Sequence, residues 1–286
     1  MTRGLLCLVF LCSFILPIKA QQQSEAAVDK KRQLSFGVVP QQSPTRLASK
    51  WGPVLRRLSA ETNIEIKFAT AKNIPTFEAR LAAGEYDLAY MNPYHYVHFS
   101  SSESGAYRAI AKESNKALRG IIVALASSDL ASLEQLRNQE IAFPAPASFA
   151  ASIIPQKIFE NAAIAIQPKY VFSHDSVYLN VARGFVPAGG GVMRTFNAAP
   201  EHIRKNLKVI WTSDSYTPHA IAAHRRVSDE DIANIMQAFL TLNQDESFQK
   251  LLNELKFNPF EAATDNDWDD IRHLGISGFL APSATN

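Results

Sequence analysis

Short apolar runs alternate with longer stretches in which apolar residues recur every three or four positions. "LSFGVV" at 34–39 is followed by "SPTRLASKWGPVLRRLSAET", then "IEIKFA", "IPTFEARLAAG" and "YDLAYM". This is the rhythm of strand–helix–strand units, and it predicts an α/β fold with a largely parallel sheet. In the first helix Leu47, Trp51, Val54, Leu55 and Leu58 share one face, with Arg46, Lys50 and Arg57 on the other. Ser43 is expected as its N-cap and Pro44 as its first helical residue, where a missing N–H costs nothing. Further strands are expected at "AYRAIAKES", "RGIIVALASS", "EIAFPAP", "KYVFS", "LKVIWTS" and "AIAA". Helices are expected at "LASLEQLRN", from Ser148, from about Asp175, and at "SDEDIANIMQAFLTLN" and "DESFQKLLNEL". The tail after these should pack through Trp268, Ile271 and Leu274.

Composition changes this picture mainly at the amino terminus. Arg3, the apolar run Leu5–Leu16 and the small residue Ala20 ahead of "QQQSE" have the order of a secretory signal peptide. The run is shorter than the roughly 20 apolar residues of a membrane span. Residues 1–20 are therefore expected to be removed on export to the periplasm, and the polar stretch 21–32 to be a flexible leader. Both cysteines, Cys7 and Cys12, fall in the removed segment, so disulfides, zinc–thiolate sites and cysteine nucleophiles are not expected in the mature protein. Loss of Arg3 and Lys19 lowers 29 basic residues to 27, against 27 acidic ones, so net charge gives no reason to expect nucleic acid as a partner. The remaining length, about 255 residues, suits one large domain or two lobes.

Candidate chemistry collects where strands hand over to helices, because ligands of open α/β sheets bind at that edge. Gln41 and Gln42 precede the first helix there. In "YDLAYMNPYHYVHF", Asn92 and Pro93 mark a strand–helix junction, which sets Tyr90, Asn92 and Tyr94 at the strand's carboxyl end, while Tyr96 and Phe99 should face the core. A tyrosine offers an apolar ring and a hydroxyl, suited to a small polar solute stripped of water. His95 and His98 are spaced like metal ligands, but with no cysteine or acidic pair nearby they are expected to be surface or pocket-rim residues, and no metal or other cofactor is expected. The helix starting at Ser148 is the strongest anion candidate: its first turn supplies unpaired N–H groups and Ser148 adds a hydroxyl.

Taken in order, "GEYDLAYMNPYHYV", "SLEQLRNQEIAFPAPAS", "FSHDSVYLNVARG" and "AGGGV" resemble the periplasmic solute-binding proteins of the phosphate/phosphite/phosphonate class, from about Leu34 to Leu255. The resemblance implies a type 2 periplasmic-binding-protein fold, α/β and two-lobed, with two crossing strands near 118–126 and 220–224 and a ligand cleft between the lobes. Residues 33–117 and 223–286 would form one lobe and 118–222 the other. It also implies that His174 is an oxyanion donor, Ser176 a secondary contact and Asp175 a cap or a partner of the histidine. The family's run of three hydroxyl residues corresponds here to Ser148, Phe149 and Ala150, so two hydroxyls are missing and Phe149 suggests a ligand with an apolar or planar part. Pro187 replaces an acidic residue before "AGGGV", whose glycines permit close backbone approach. Arg194 stands where binders of aminoalkyl-phosphonates carry a carboxylate, and would instead receive an anionic group or lie exposed at a helix start.

The reading that follows is a monomeric, exported, non-enzymatic binding protein for a small anionic ligand, serving an ABC permease. A membrane sensor kinase or cyclase is the alternative partner. A periplasmic hydrolase using Ser148, His174 and Asp175 is the third possibility, disfavoured because "GxSxG" is absent.

Overall fold

The computed structural model describes Met1 and residues 31–101 and 106–280. The expected signal peptide and most of the leader lie outside the described residues. Along the chain come β1 (Gln33–Val38), α1 (Pro44–Thr62), β2 (Glu65–Ala69), α2 (Ile74–Ala82), β3 (Leu88–Met91), α3 (Pro93–Phe99) and β4 (Tyr107–Glu113). Next are β5 (Gly120–Leu125), β6 (Glu140–Phe143), α4 (Ile154–Asn161), β7 (Gln167–Tyr170), α5 (His174–Ala182), β8 (Ala188–Val192), α6 (Met193–Asn197), α7 (Glu201–Arg204) and β9 (Leu207–Thr212). The chain closes with β10 (Ala220–His224), α8 (Asp229–Leu242), α9 (Glu246–Leu255), β11 (Phe260–Ala262) and α10 (Asp269–Arg272).

Two sheets result, one of order β11-β4-β10-β3-β1-β2 and one of order β7-β6-β8-β5-β9. The βαβ units are parallel as expected: β1 with β2 and β3, and β6 with β7 and β8. Both sheets are nevertheless mixed, because β10 runs antiparallel to β3 and β4, β11 to β4, and β5 to β8 and β9. The expectation of a largely parallel sheet fails for a topological reason. The chain passes from one sheet to the other through 114–119 and returns through 213–219, with no crossover helix on either passage to restore strand direction. The two passages pair with each other, Leu118 and Tyr216 exchanging backbone hydrogen bonds of 2.8 and 3.0 Å.

Helix α1 buries the predicted face, Leu47, Trp51, Val54, Leu55 and Leu58, against the first sheet. Ser43 occupies its N-cap position without a capping hydrogen bond from its side chain. "LASLEQLRN" forms only a 3₁₀ turn over Glu134–Leu136 instead of a helix. In the tail Trp268 and Ile271 are buried, while Leu274 is only half-buried against the same core. Among the described residues no helix is long and apolar enough to cross a membrane.

Gly190 of β8 and Gly120 of β5 position one particular segment. Ahead of α4 the chain makes a π-helical turn over Phe149–Ile153 that lies flat on the second sheet. A Cβ on Gly190 would sit 2.0 Å from the Ala151 carbonyl oxygen, and one on Gly120 in β5 would sit 2.0 Å from that of Ala150. Any side chain at either position would lift the turn from the sheet.

Candidate functional site

The edge at which α1, α3, the π-helical turn, α5 and α6 begin is where the two sheets meet, and most of the predicted residues converge there. Gln41 and Gln42 are buried ahead of α1. Gln41, Asn92, Ser148, Phe149, His174 and His219 line one small cavity of about 10 Å³. Gln41, Gln42, Tyr90, Arg194, Thr195 and Phe257 line a second of about 30 Å³. Cavities of this size hold about one water molecule, so in this arrangement of the sheets neither has room for a larger solute.

Several contacts join the two sheet units around these cavities. His174 N–H donates to the Gln41 carbonyl (3.1 Å), and Asn92 Nδ2 donates to the Ala147 carbonyl (3.0 Å). Asn92 also caps α3 as expected, its Oδ1 accepting from His95 N–H at 2.9 Å. Arg46 reaches Asp175 (3.4 Å) and the Ala198 carbonyl. Asp175 is therefore not the cap of α5; that position belongs to Ser173, whose Oγ accepts from Ser176 N–H.

Arg194 is neither exposed nor free. Its side chain is 10% exposed and its Nη1 meets Glu113 Oε1, itself 1% exposed, at 2.5 Å, joining α6 of one unit to β4 of the other. The guanidinium also lies 4.7 Å from the Phe257 ring centroid and 5.7 Å from that of Tyr90. Burial works against its charge, but Tyr90 and Glu113 outweigh that cost and hold it protonated.

Arg194 also sets the polarity of a hydrogen-bond chain. Its Nη2 donates to Gln41 Oε1 (3.5 Å), which turns Gln41 Nε2 toward His219 Nε2 at 3.3 Å. An amide nitrogen can only donate, so His219 Nε2 accepts and Nδ1 carries the ring proton. That Nδ1 is buried with no hydrogen-bond partner among the described residues, as are Ser148 Oγ and Gln42 Nε2. The Tyr90 hydroxyl, stacked by its ring on His219 (4.9 Å, 14°), likewise makes no hydrogen bond of ordinary geometry, although Arg194 lies beside it. Ser152 N–H and Ile153 N–H both bond the Ser148 carbonyl, so the amides of Phe149, Ala150 and Ala151 precede the first intrahelical bond.

Burial pushes the His174 imidazole down to about 3, helped by Arg194, and pushes His219 well below its ordinary range, helped by Arg194 and His174. Both rings are neutral at physiological pH. His174 Nδ1 meets Thr195 Oγ1 (3.1 Å), which in turn meets Tyr178 Oη (2.7 Å). The inner chamber thus offers neutral donors beside one compensated cation, an arrangement suited to holding an acceptor-rich solute rather than to turnover.

Other predicted residues go elsewhere. Tyr94 accepts from Phe279 N–H (3.3 Å) and packs edge-on to its ring, away from the chamber. Ser176 pairs with Ser173 Oγ within the α5 cap. Phe149 stays at the Ser148 cavity, but its ring is buried edge-on against Tyr216. His95 is fully buried rather than on a rim, its Nε2 2.9 Å from Glu78 Oε1 in α2, an acid distant in sequence. Among the described residues no group of three His, Cys, Asp or Glu is placed to hold a metal ion. Sequence reasoning missed His219, Glu113 and Thr195. "TPH" directly ahead of a strand could have signalled His219, whereas nothing local distinguishes Glu113.

A third cavity of about 580 Å³ adjoins the inner chamber through Leu118 and His219 and is also lined by Lys116, Arg119, Arg194 and Lys256.

Comparison with known proteins gives this geometry a context. The family of periplasmic substrate-binding proteins of phosphonate ABC transporters matches residues 36–268. A phosphate-import protein, PhnD, of Mycolicibacterium smegmatis (strain ATCC 700084 / mc(2)155) is 22% identical over 282 residues, 88% of each chain. A binding protein of an ABC phosphonate transporter from Pseudomonas aeruginosa superposes with a TM-score of 0.77 at 18% identity, over 86% of both chains. PhnD1 of Prochlorococcus marinus, solved in complex with methylphosphonate, gives 0.76 at 17% identity, over 85% of this chain and 97% of its own. The two-sheet α/β architecture is that of type 2 periplasmic binding proteins.

Proposed function

We propose, from the premise that the chain belongs to the periplasmic substrate-binding protein family of phosphonate ABC transporters, that it captures a phosphonate- or phosphate-like anion and presents it to an ABC permease. The inner chamber is the oxyanion subsite in this reading. Its donors are Ser148 Oγ, the Phe149–Ala151 amides, His219 Nδ1–H and the Tyr90 hydroxyl. The observation that carries the reading is that Ser148 Oγ, His219 Nδ1 and the Tyr90 hydroxyl have no hydrogen-bond partner among the described residues although all three residues are buried where the two sheets meet. A buried donor left unpaired costs about 1–3 kcal/mol, so a cluster of them is explained by a solute that pairs them.

The two sheet units act as the lobes, with 114–119 and 213–219 as the hinge, and an oxyanion enters when they part. Export to the periplasm fits the family and the amino-terminal sequence pattern. Calorimetric titration of the mature chain with methylphosphonate and with inorganic phosphate tests the assignment. Binding of at least one is expected, weakened about tenfold or more in Ser148→Ala, in line with the value of a hydrogen bond to a charged group. Absence of binding to both, or unchanged affinity in Ser148→Ala and His219→Ala alike, would refute it.

A further inference from the structure

The 580 Å³ cavity has a one-sided charge. Of its lining residues Lys116, Arg119, Arg194 and Lys256 are cationic and none is acidic. Arg194 is compensated by Glu113, and Arg119 Nη1 among the described residues reaches only the Ser213 carbonyl (3.3 Å). The Lys116 and Lys256 ammonium groups make no ion pair or hydrogen bond among the described residues. Lys256 is moreover held at φ 62° at the end of α9, a left-handed position that glycine would occupy without steric cost. Met193 and Phe257 supply apolar wall beside these cations. Leu118 and His219 are shared with the Ser148 chamber, and Arg194 and Phe257 with the Tyr90 chamber, so the outer cavity has walls in common with both.

We infer that this outer chamber is a tail subsite, and that the ligand is a phosphonate or phosphomonoester whose organic substituent carries a second negative charge. The inference rests on the reading of the inner chamber as the oxyanion subsite. The oxyanion head sits at Ser148 and His219, a short carbon spacer lies along Met193 and Phe257, and the second anion meets Lys116, Arg119 and Lys256. A cationic substituent is repelled from the same place, and a methyl group leaves it unused.

Matched probes separate the two levels of the argument. Calorimetry at fixed low salt would compare methylphosphonate, 2-aminoethylphosphonate and 3-phosphonopropionate, and, for esters, glycerol 3-phosphate with 3-phosphoglycerate. In at least one series the anionic-tailed member should bind tenfold or more tighter than its uncharged partner, with 2-aminoethylphosphonate no tighter than methylphosphonate. The double variant Lys116→Gln/Lys256→Gln should erase that advantage while leaving methylphosphonate or glycerol 3-phosphate affinity within twofold. If uncharged probes bind but an anionic tail gives no gain, or the gain survives the double variant, the tail subsite is wrong and the oxyanion subsite stands. If no probe binds, both fall.

Discussion

At the scale of single residues the chamber is a set of neutral donors arranged by one buried ion pair. Arg194 and Glu113 lie almost out of contact with solvent, and removing one partner strands the other's charge. Glu113→Gln is expected to lower stability by about 3–5 kcal/mol, and the double variant Glu113→Leu/Arg194→Met by less, since no charge is then left alone; urea unfolding checks both. The buried histidines give the pH dependence its sign. His174 is held at about 3, against an ordinary value near 6.5, so between those limits the unfolded chain binds a proton that the folded chain refuses. Stability is therefore complete above about pH 6.5 and falls as the pH drops toward 3, with His219 acting in the same direction. Thermal melting from pH 7.5 to 4.5 should show a falling Tm, with a shallower slope in His174→Gln.

At the scale of elements, Gly190 of β8 and Gly120 of β5 let the carbonyls of the π-helical turn rest on the second sheet, which sets Phe149–Ala151 at the cavity. Gly190→Ala should cost about 1–3 kcal/mol by overpacking and should also weaken anion binding, whereas Gly52→Ala in α1, with only the Arg56 side chain nearby at 3.3 Å, should leave binding unchanged. Elements governed by local rules were legible in the sequence. The apolar face of α1, the Asn92–Pro93 junction and the close approach permitted by "AGGG" all follow from periodicity, caps and the missing Cβ. What depends on partners remote in the chain was not legible. Arg194 looked free because Glu113 lies 81 positions away, His95 looked exposed because Glu78 sits on another helix, and Tyr94 looked cleft-facing because the tail at Phe279 covers it. The π-helical start of the Ser148 helix likewise reflects packing on Gly120 and Gly190, remote in the chain on either side of it, rather than local propensity.

At the scale of the molecule, two mixed sheets are joined by two paired passages, and the two halves touch through His174 and Gln41, Asn92 and Ala147, Arg46 and Asp175, and Arg194 and Glu113. On the proposed reading, a ligand that pairs the buried donors would add to these contacts only when the halves are together, and so would shift the population toward a closed form. The same linkage raises stability by RT ln(1 + [L]/Kd), about 2.7 kcal/mol at a hundredfold excess over Kd. The most direct measurement of the central claim is therefore small-angle scattering of the mature chain, without and with saturating methylphosphonate or 3-phosphonopropionate, beside the Ser148→Ala/His219→Ala variant. The account predicts a smaller radius of gyration with ligand for the unaltered chain and little change for the variant at the same concentration. A radius that is unmoved by a ligand shown calorimetrically to bind, or an identical response from the variant, would contradict it.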